Sequence, residues 1–391
     1  MSRKKKNQIN VNRRDFLKTT SIVSSVALVP AVFGVFSNCT AKINLYYETL
    51  ADALDKLPNA FPRTESGIEI LLLKKIFSPE EAWLCGQLTV NFESIDSISE
   101  RIMISREETQ NRLEQMLKRG LVWGDLNAGY VRLAPFIFGI YEEQLWEMDH
   151  ELAHLMEEWF DEGGAEFMKY HPAIHRVIPA HGSVKSEWIM PYDDIKEILK
   201  TKKSFRVRDC ICRVQQDHTG CRECAYPLKV CLNFTSFERP PSDRDISLQE
   251  ALDIIDEAER VGLVHSVSNI AEGFFYVCNC CGCCCGILRG ITEFGIENSI
   301  AATNYYASID PDLCIGCKSC KSRCQVSAIS KQDNVCIVDT EKCIGCGLCV
   351  TACDSGAARL ELKPEEEIIQ PPADFATWEH ERLVNRGIKP G

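Results

Sequence analysis

Eight cysteines near the C-terminus fall into two copies of one spacing. The first is Cys314, Cys317, Cys320 and Cys324, and the second is Cys343, Cys346, Cys349 and Cys353. Both read C-x2-C-x2-C-x3-C, and Cys-Ile-Gly-Cys recurs 29 residues apart. Thiolates are soft ligands that select iron–sulfur clusters, zinc or copper(I). Three thiolates on one tight loop can meet three corners of an iron–sulfur cube, while the fourth corner faces away. A second loop, related by an internal two-fold, must then supply the fourth. The doubling favours this reading over disulfides or zinc.

The stretch from about residue 306 to 360 resembles the bacterial two-cluster ferredoxins, in which the fourth cysteine of each run ligates the other cluster. The resemblance implies one [4Fe–4S] cluster on Cys314, Cys317, Cys320 and Cys353, and another on Cys343, Cys346, Cys349 and Cys324. The family places a proline after each fourth cysteine, where this chain has Gln325 and Asp354.

A second cysteine-rich region begins near residue 204. Cys210, Cys212, Cys221, Cys224 and Cys231 open it, and Cys278, Cys280, Cys281, Cys283, Cys284 and Cys285 close it. Six cysteines in eight residues are neither a core feature nor an easy disulfide ladder, because adjacent side chains point different ways. An amphipathic helix from Leu248 to about Val261 lies between the two groups. The stretch from Val207 to Gly290 looks like a family of uncharacterised iron–sulfur proteins with C-x-C-R, C-x2-P-x3-C and C-N-C-C-G-C-C-C elements before a two-cluster ferredoxin domain. Cys210, Cys212 and Arg213 match the first element, Cys224, Pro227 and Cys231 the second, and Cys278 to Cys285 the third; Cys221 is extra. A third cubane on Cys210, Cys212, Cys224 and Cys231 is the expectation, with Arg213 offsetting cluster charge. The Cys278–Cys285 run then completes that cluster, holds a fourth, or leaves an iron open to substrate. Zinc is the alternative for either group.

The other end of the chain carries Asn12-Arg13-Arg14-Asp15-Phe16-Leu17-Lys18 and then an apolar, small-residue run to about Phe36. This resembles a twin-arginine export signal, and the run is short for a spanning helix. Folded export suits a protein whose clusters are built in the cytoplasm, and it reconciles 22 cysteines with an oxidising destination. Ala41, with the small Cys39 two positions before it, offers a cleavage site, and lipidation of Cys39 is the alternative. A net charge of −12 argues against nucleic acid as a partner.

Residues 43–200 read as mostly helical. Ser78-Pro79-Glu80-Glu81 opens one helix and Ser105-Arg106-Glu107-Glu108 another, which runs through Lys118. Residues 121–133 then read as a hairpin. Helix, helix, helix, hairpin is the order of a winged helix, but Arg106, Arg112 and Lys118 alternate with Glu107, Glu108 and Glu114, leaving no basic face. A scaffold is expected rather than a DNA reader. His150-Glu151-Leu152-Ala153-His154 matches the zinc-protease pattern H-E-x-x-H. Leu152, Leu155 and Met156 form a packing stripe, however, and Glu162 and Glu166 follow too closely to return as a third ligand. An ordinary helix turn is expected.

The sequence therefore implies an α+β protein in five parts. A signal segment (1–41) precedes a helical, winged-helix-like scaffold (42–203). A cysteine-rich metal or cluster domain (204–305), a two-cluster ferredoxin domain (306–363) and a tail (364–391) follow. No nucleotide loop, flavin fingerprint or catalytic triad is present. The expected function is single-electron relay to or from a redox protein, possibly a membrane oxidoreductase, in the periplasm or on the outer face of the cytoplasmic membrane. Membrane association would come only through an uncleaved signal. The alternatives are a reductase with a substrate-accessible centre at Cys278–Cys285 and an iron–sulfur-sensing winged-helix regulator.

Overall fold

Local capping sets the helical first half. In the computed structural model, which describes residues 33–390, Ser78 accepts from the Glu81 amide and the Glu81 carboxylate returns to the Ser78 amide at 2.8 Å, opening helix Pro79–Cys85. Ser105 likewise accepts from the Glu108 amide at 3.3 Å and starts helix Arg106–Lys118. The paired arginines at 13–14 lie outside the described residues. Strands β1 (Glu93–Ser94), β2 (Val122–Asp125) and β3 (Tyr130–Leu133) form a small antiparallel sheet ordered β1-β3-β2 beside these helices. Phe61, Phe136 and Trp159 close the core beneath them, with ring centroids 4.6–5.4 Å apart. Helix His150–Asp161 buries Leu152, Ala153, Met156, Trp159 and Phe160 and leaves Leu155 half-buried.

The largest element is a six-stranded antiparallel sheet. It is built from β4 (His175–Ile178), β5 (Ser204–Asp209), β6 (Lys229–Thr235), β7 (Asp245–Ile246), β8 (Val264–Ser268) and β9 (Tyr276–Cys280), in the order β4-β8-β9-β6-β5-β7. It crosses the expected domain boundary at residue 203, because β4 belongs to the chain read as a helical scaffold. His-Arg-Val-Ile has no alternation to mark a strand. All four residues are nevertheless buried, and the polar ones find internal partners. His175 Nε2 lies 2.6 Å from Tyr276 Oη, and Arg176 donates to Asp193 at 2.7 Å. Residues from Leu45 onward form one compact unit.

Beyond the sheet, β10 (Tyr305–Ile309) pairs with β13 (Ala358–Leu362), and β11 (Ile329–Gln332) pairs with β12 (Val335–Val338). A short helix carries the third cysteine of each run, Ser319–Arg323 with Cys320 in one and Leu348–Thr351 with Cys349 in the other. The segment expected to be a tail is structural instead. Its helix, Phe375–Asn385, sinks Trp378 and Arg382 into the helical half, and the Arg382 guanidinium donates to the carbonyls of Pro58 (2.7 Å), Pro172 (2.6 Å), Phe167 (2.6 Å) and Tyr170. Helices and strands together make this an α+β protein with a ferredoxin-like region at its C-terminus.

Candidate iron–sulfur and metal centres

The two C-terminal runs form loops whose backbone is shaped around sulfur. Gly316 and Gly345, the glycines of the two Cys-Ile-Gly-Cys repeats, have φ of +65° and +68°. A Cβ on either would meet neighbouring atoms at 2.3 and 1.9 Å, so the repeat keeps glycine for both conformation and space. Amide N–H groups point at sulfur in both halves. Ala328 donates to Cys324 at 3.2 Å, Ala358 to Cys353 at 3.3 Å, Cys336 to Cys314 at 3.4 Å and Ala307 to Cys343 at 3.5 Å. Such donors stabilise thiolates and tune cluster potential. Cys324 lies in the electrostatic neighbourhood of Cys343, Cys346 and Cys349, and Cys353 lies in that of Cys320. The donor set fits iron–sulfur cofactors.

The two halves have different surroundings. Around the first, Cys317 is exposed, and so are Leu313 (48%), Ile315 (73%) and Ile337 (41%). The second is packed on the body of the protein. The Ala180 amide donates to the Cys346 carbonyl at 2.9 Å, and the Thr303 hydroxyl donates to the Gly345 carbonyl at 3.0 Å.

The middle region brings together cysteines that are far apart in sequence. In the β6–β9 register, Leu232 faces Val277 and Asn233 faces Tyr276, which sets Cys231 beside Cys278 with sulfurs 3.9 Å apart. Cys280 follows on the same face of β9 as Cys278, two residues on. Cys210 follows β5 and occupies the N-cap position of helix Ile211–Thr219, whose first turn carries Cys212. The thiols of Cys231, Cys278, Cys280, Cys285, Cys212 and Cys210 form an arc along one wall of a cavity that Cys281 and Cys284 also reach, with Cys231 and Cys278 in sulfur–sulfur contact. Hydrogen bonds from Cys278 and Cys285 hold the Cys280 thiol down to about 6 against the opposing effect of burial.

Cys224 departs from the expected grouping. It leaves Cys210, Cys212 and Cys231 and joins Cys281, Cys283 and Cys284. The cause is local: no regular element lies between Thr219 and Lys229, so this loop can reach the turn after β9. Arg213 lies between the two thiol groups, fully buried, donating to the carbonyls of Pro227 (3.0 Å) and Asn279 (2.7 Å). It has no carboxylate partner among the described residues. Because a buried cation needs a counter-charge, the thiolates are its only local source. Hydrogen bonds from Cys283 and Cys284, followed by the nearby guanidinium, hold Cys281 far below the ordinary thiol range.

Gln325, which replaces the family's proline, joins this turn to the C-terminal loops. Its side-chain Oε1 accepts from the Gly282 amide at 2.9 Å, and its side-chain Nε2 donates to Gly262 O at 2.7 Å and Tyr226 Oη at 2.9 Å. Any Cβ at Gly282 would lie 1.9 Å from the backbone carbonyl oxygen of Gln325.

Other cysteines have different surroundings. Cys336, which the spacing argument did not single out, is buried on β12 with its amide on Cys314; its position between two repeats was the available signal. Cys85 is buried in the helical half and Cys221 is exposed. In the H-E-x-x-H segment, the His150 and His154 rings approach at 3.2 Å. Glu151 pairs with Lys75, Glu162 accepts from Ser66 and Glu166 pairs with Lys169.

An α+β chain with thiol-lined centres is thus in place, and comparison with known families agrees. Residues 306–361 match the family model of the 4Fe-4S dicluster domain. No curated protein and no solved structure matches the chain. The C-terminal region is by that family match an iron–sulfur dicluster domain. Among the described residues, no helix is long and apolar enough to cross a membrane.

Proposed function

We propose that this protein is an exported, multi-cluster iron–sulfur protein that relays single electrons to or from a redox protein partner. Two [4Fe–4S] clusters would be held by Cys314, Cys317, Cys320 and Cys353, and by Cys343, Cys346, Cys349 and Cys324. A further centre would be held by the six-thiol arc of Cys210, Cys212, Cys231, Cys278, Cys280 and Cys285. The observation that carries this reading is the asymmetry of the C-terminal loops. One half opens to solvent through Cys317 amid Leu313 and Ile315, and the other is joined through Gln325 to the turn that follows Cys281. An electron would enter or leave at the open half and pass inward through the packed half. Cubanes supply one-electron redox steps at potentials set by charge, hydrogen bonds and exposure. The protein's part is to fix the spacing and shield the inner centre from water.

The regulator reading gains no support from the helix Arg106–Lys118. Arg106 pairs with Asp96 and Arg112 with Glu108, both at 2.8 Å. One observation favours the reductase reading: the arc has more thiols than one cubane takes. Its cavity also presents Glu142, whose carboxyl burial pushes up to about 7, a poised proton source.

Iron and sulfide analysis with EPR of anaerobically purified protein, with and without cyanide, tests both readings. The relay reading expects more than about eight irons per chain and no cyanide effect on any signal. A cyanide-shifted signal that is lost in Cys280→Ser would replace it with the reductase. About eight irons would remove the inner centre.

A further inference from the structure

The thiols of Cys224, Cys281, Cys283 and Cys284 form a site of a different kind from the rest. All four sulfurs lie within 4.8 Å of one another. Cys224 is 3.9 Å from Cys281 and 3.7 Å from Cys284, and Cys283 is 3.4 Å from Cys284. A single tetrahedral ion with metal–sulfur bonds of about 2.3 Å sets its thiolates about 3.8 Å apart, the edge of the tetrahedron. The four thiolates of a cubane sit on four different irons and stand roughly 6 Å apart. The C-terminal loops serve as an internal standard. Among the described residues, no three of their cysteines close to within 4.8 Å.

We infer that Cys224, Cys281, Cys283 and Cys284 hold one zinc ion in tetrathiolate coordination, separate from the six-thiol arc and from the C-terminal clusters. Zinc accepts a closed four-sulfur shell without geometric preference of its own, which is the usual form of a structural site. Four thiolates on a dication leave a net charge of about −2. Arg213 lies beside Cys281 as a counter-charge, and Arg222, which pairs with Asp217 at 2.7 Å, holds the Cys224 carbonyl through its Nε at 3.0 Å.

The site also has structural work to do. Residues 220–228 carry no regular secondary structure. The ion would pin this loop to the turn 281–284, which in turn contacts Gln325. A staple at that point fixes the wall between the arc and the C-terminal loops.

Metal analysis and zinc-edge X-ray absorption on the full chain test the assignment. The expected result is about one zinc per chain, surrounded by four sulfurs at about 2.3 Å. Cys224→Ala and Cys283→Ala should each lower zinc content several-fold while the EPR intensity of the C-terminal clusters stays unchanged. Cys221→Ala, an exposed neighbour, should retain zinc. The assignment falls if zinc is absent, if it persists in both variants, or if its ligands are nitrogen or oxygen. It falls equally if the variants lose iron rather than zinc, since the four thiols would then hold a cluster.

Discussion

At the scale of single residues, buried polar groups carry the clearest consequences. His175 is enclosed by Tyr276, Ser266 and the Phe138 ring, and burial lowers its pKa to about 3. An unfolded histidine titrates near 6.5. Above that pH neither state binds the proton, and the folded state keeps its full stability. As pH falls from 6.5 towards 3, the unfolded chain takes up a proton that the folded chain refuses. Stability is therefore lost by up to about 1.4 kcal/mol per pH unit. Gln can keep polar contact with Tyr276 and Ser266 without titrating, so His175→Gln should flatten the acid side of the unfolding free energy by that slope. Chemical denaturation between pH 4 and 7 reads this directly, and parallel slopes for the two proteins would mean that the ring is not held neutral. The same logic gives Arg213 its meaning. A buried guanidinium surrounded by carbonyls, sulfur and the Tyr226 ring, with no carboxylate among the described residues, is a counter-ion for thiolates.

At the scale of elements, the contact between the turn 281–284 and Gln325 joins two parts of the chain read separately from the sequence. Gln325→Leu leaves the Gly282 amide, the Gly262 carbonyl and the Tyr226 hydroxyl without their partner. A stability loss of roughly 1–3 kcal/mol is expected. Intramolecular electron transfer after flash photoreduction should also slow. A stability loss with an unchanged rate would leave Gln325 as a structural tie alone. What could be read in advance follows the same division. The helix starting at Leu248 and ending at Val261 was legible because its apolar spacing is regular, and the structure adds a Ser247–Glu250 capping box at its start. The cysteine loops were legible because ligand reach is encoded in local spacing. Strand β4 was not, since nothing in His-Arg-Val-Ile alternates and its burial rests on Tyr276 and Asp193 from distant segments. The exchange of Cys224 from one thiol group to the other was equally hidden. It is set by where an irregular loop lands, and only tertiary structure decides that. The role of residues 375–385 was missed for a similar reason: a polar helix reads as surface until Arg382 is seen reaching the carbonyls at Pro58, Phe167 and Pro172.

At the scale of the whole molecule, the interleaving of these parts bears on how such a protein could leave the cytoplasm. The six-stranded sheet draws β4 from the first half and β8 and β9 from the cysteine-rich region. The C-terminal helix closes on the helical half, where Trp378 donates to the Ala173 carbonyl at 2.9 Å. The thiols of the arc are brought together only when the sheet forms, so their centre can be assembled no earlier than the fold itself. A chain threaded unfolded into an oxidising compartment would expose 22 cysteines to disulfide chemistry. Export of the folded, loaded protein avoids this, and Arg13-Arg14 is the feature that would direct it. Replacing both arginines with lysine preserves the charge and alters only what the receptor reads. The double variant should accumulate in the cytoplasm with the iron content and EPR spectrum of the wild-type protein. Fractionation of producing cells with iron analysis of each fraction measures this. Undiminished export would remove the signal assignment and restore the cytoplasmic regulator as a reading to be tested. Cytoplasmic protein lacking iron would mean instead that residues 13–14 act in assembly.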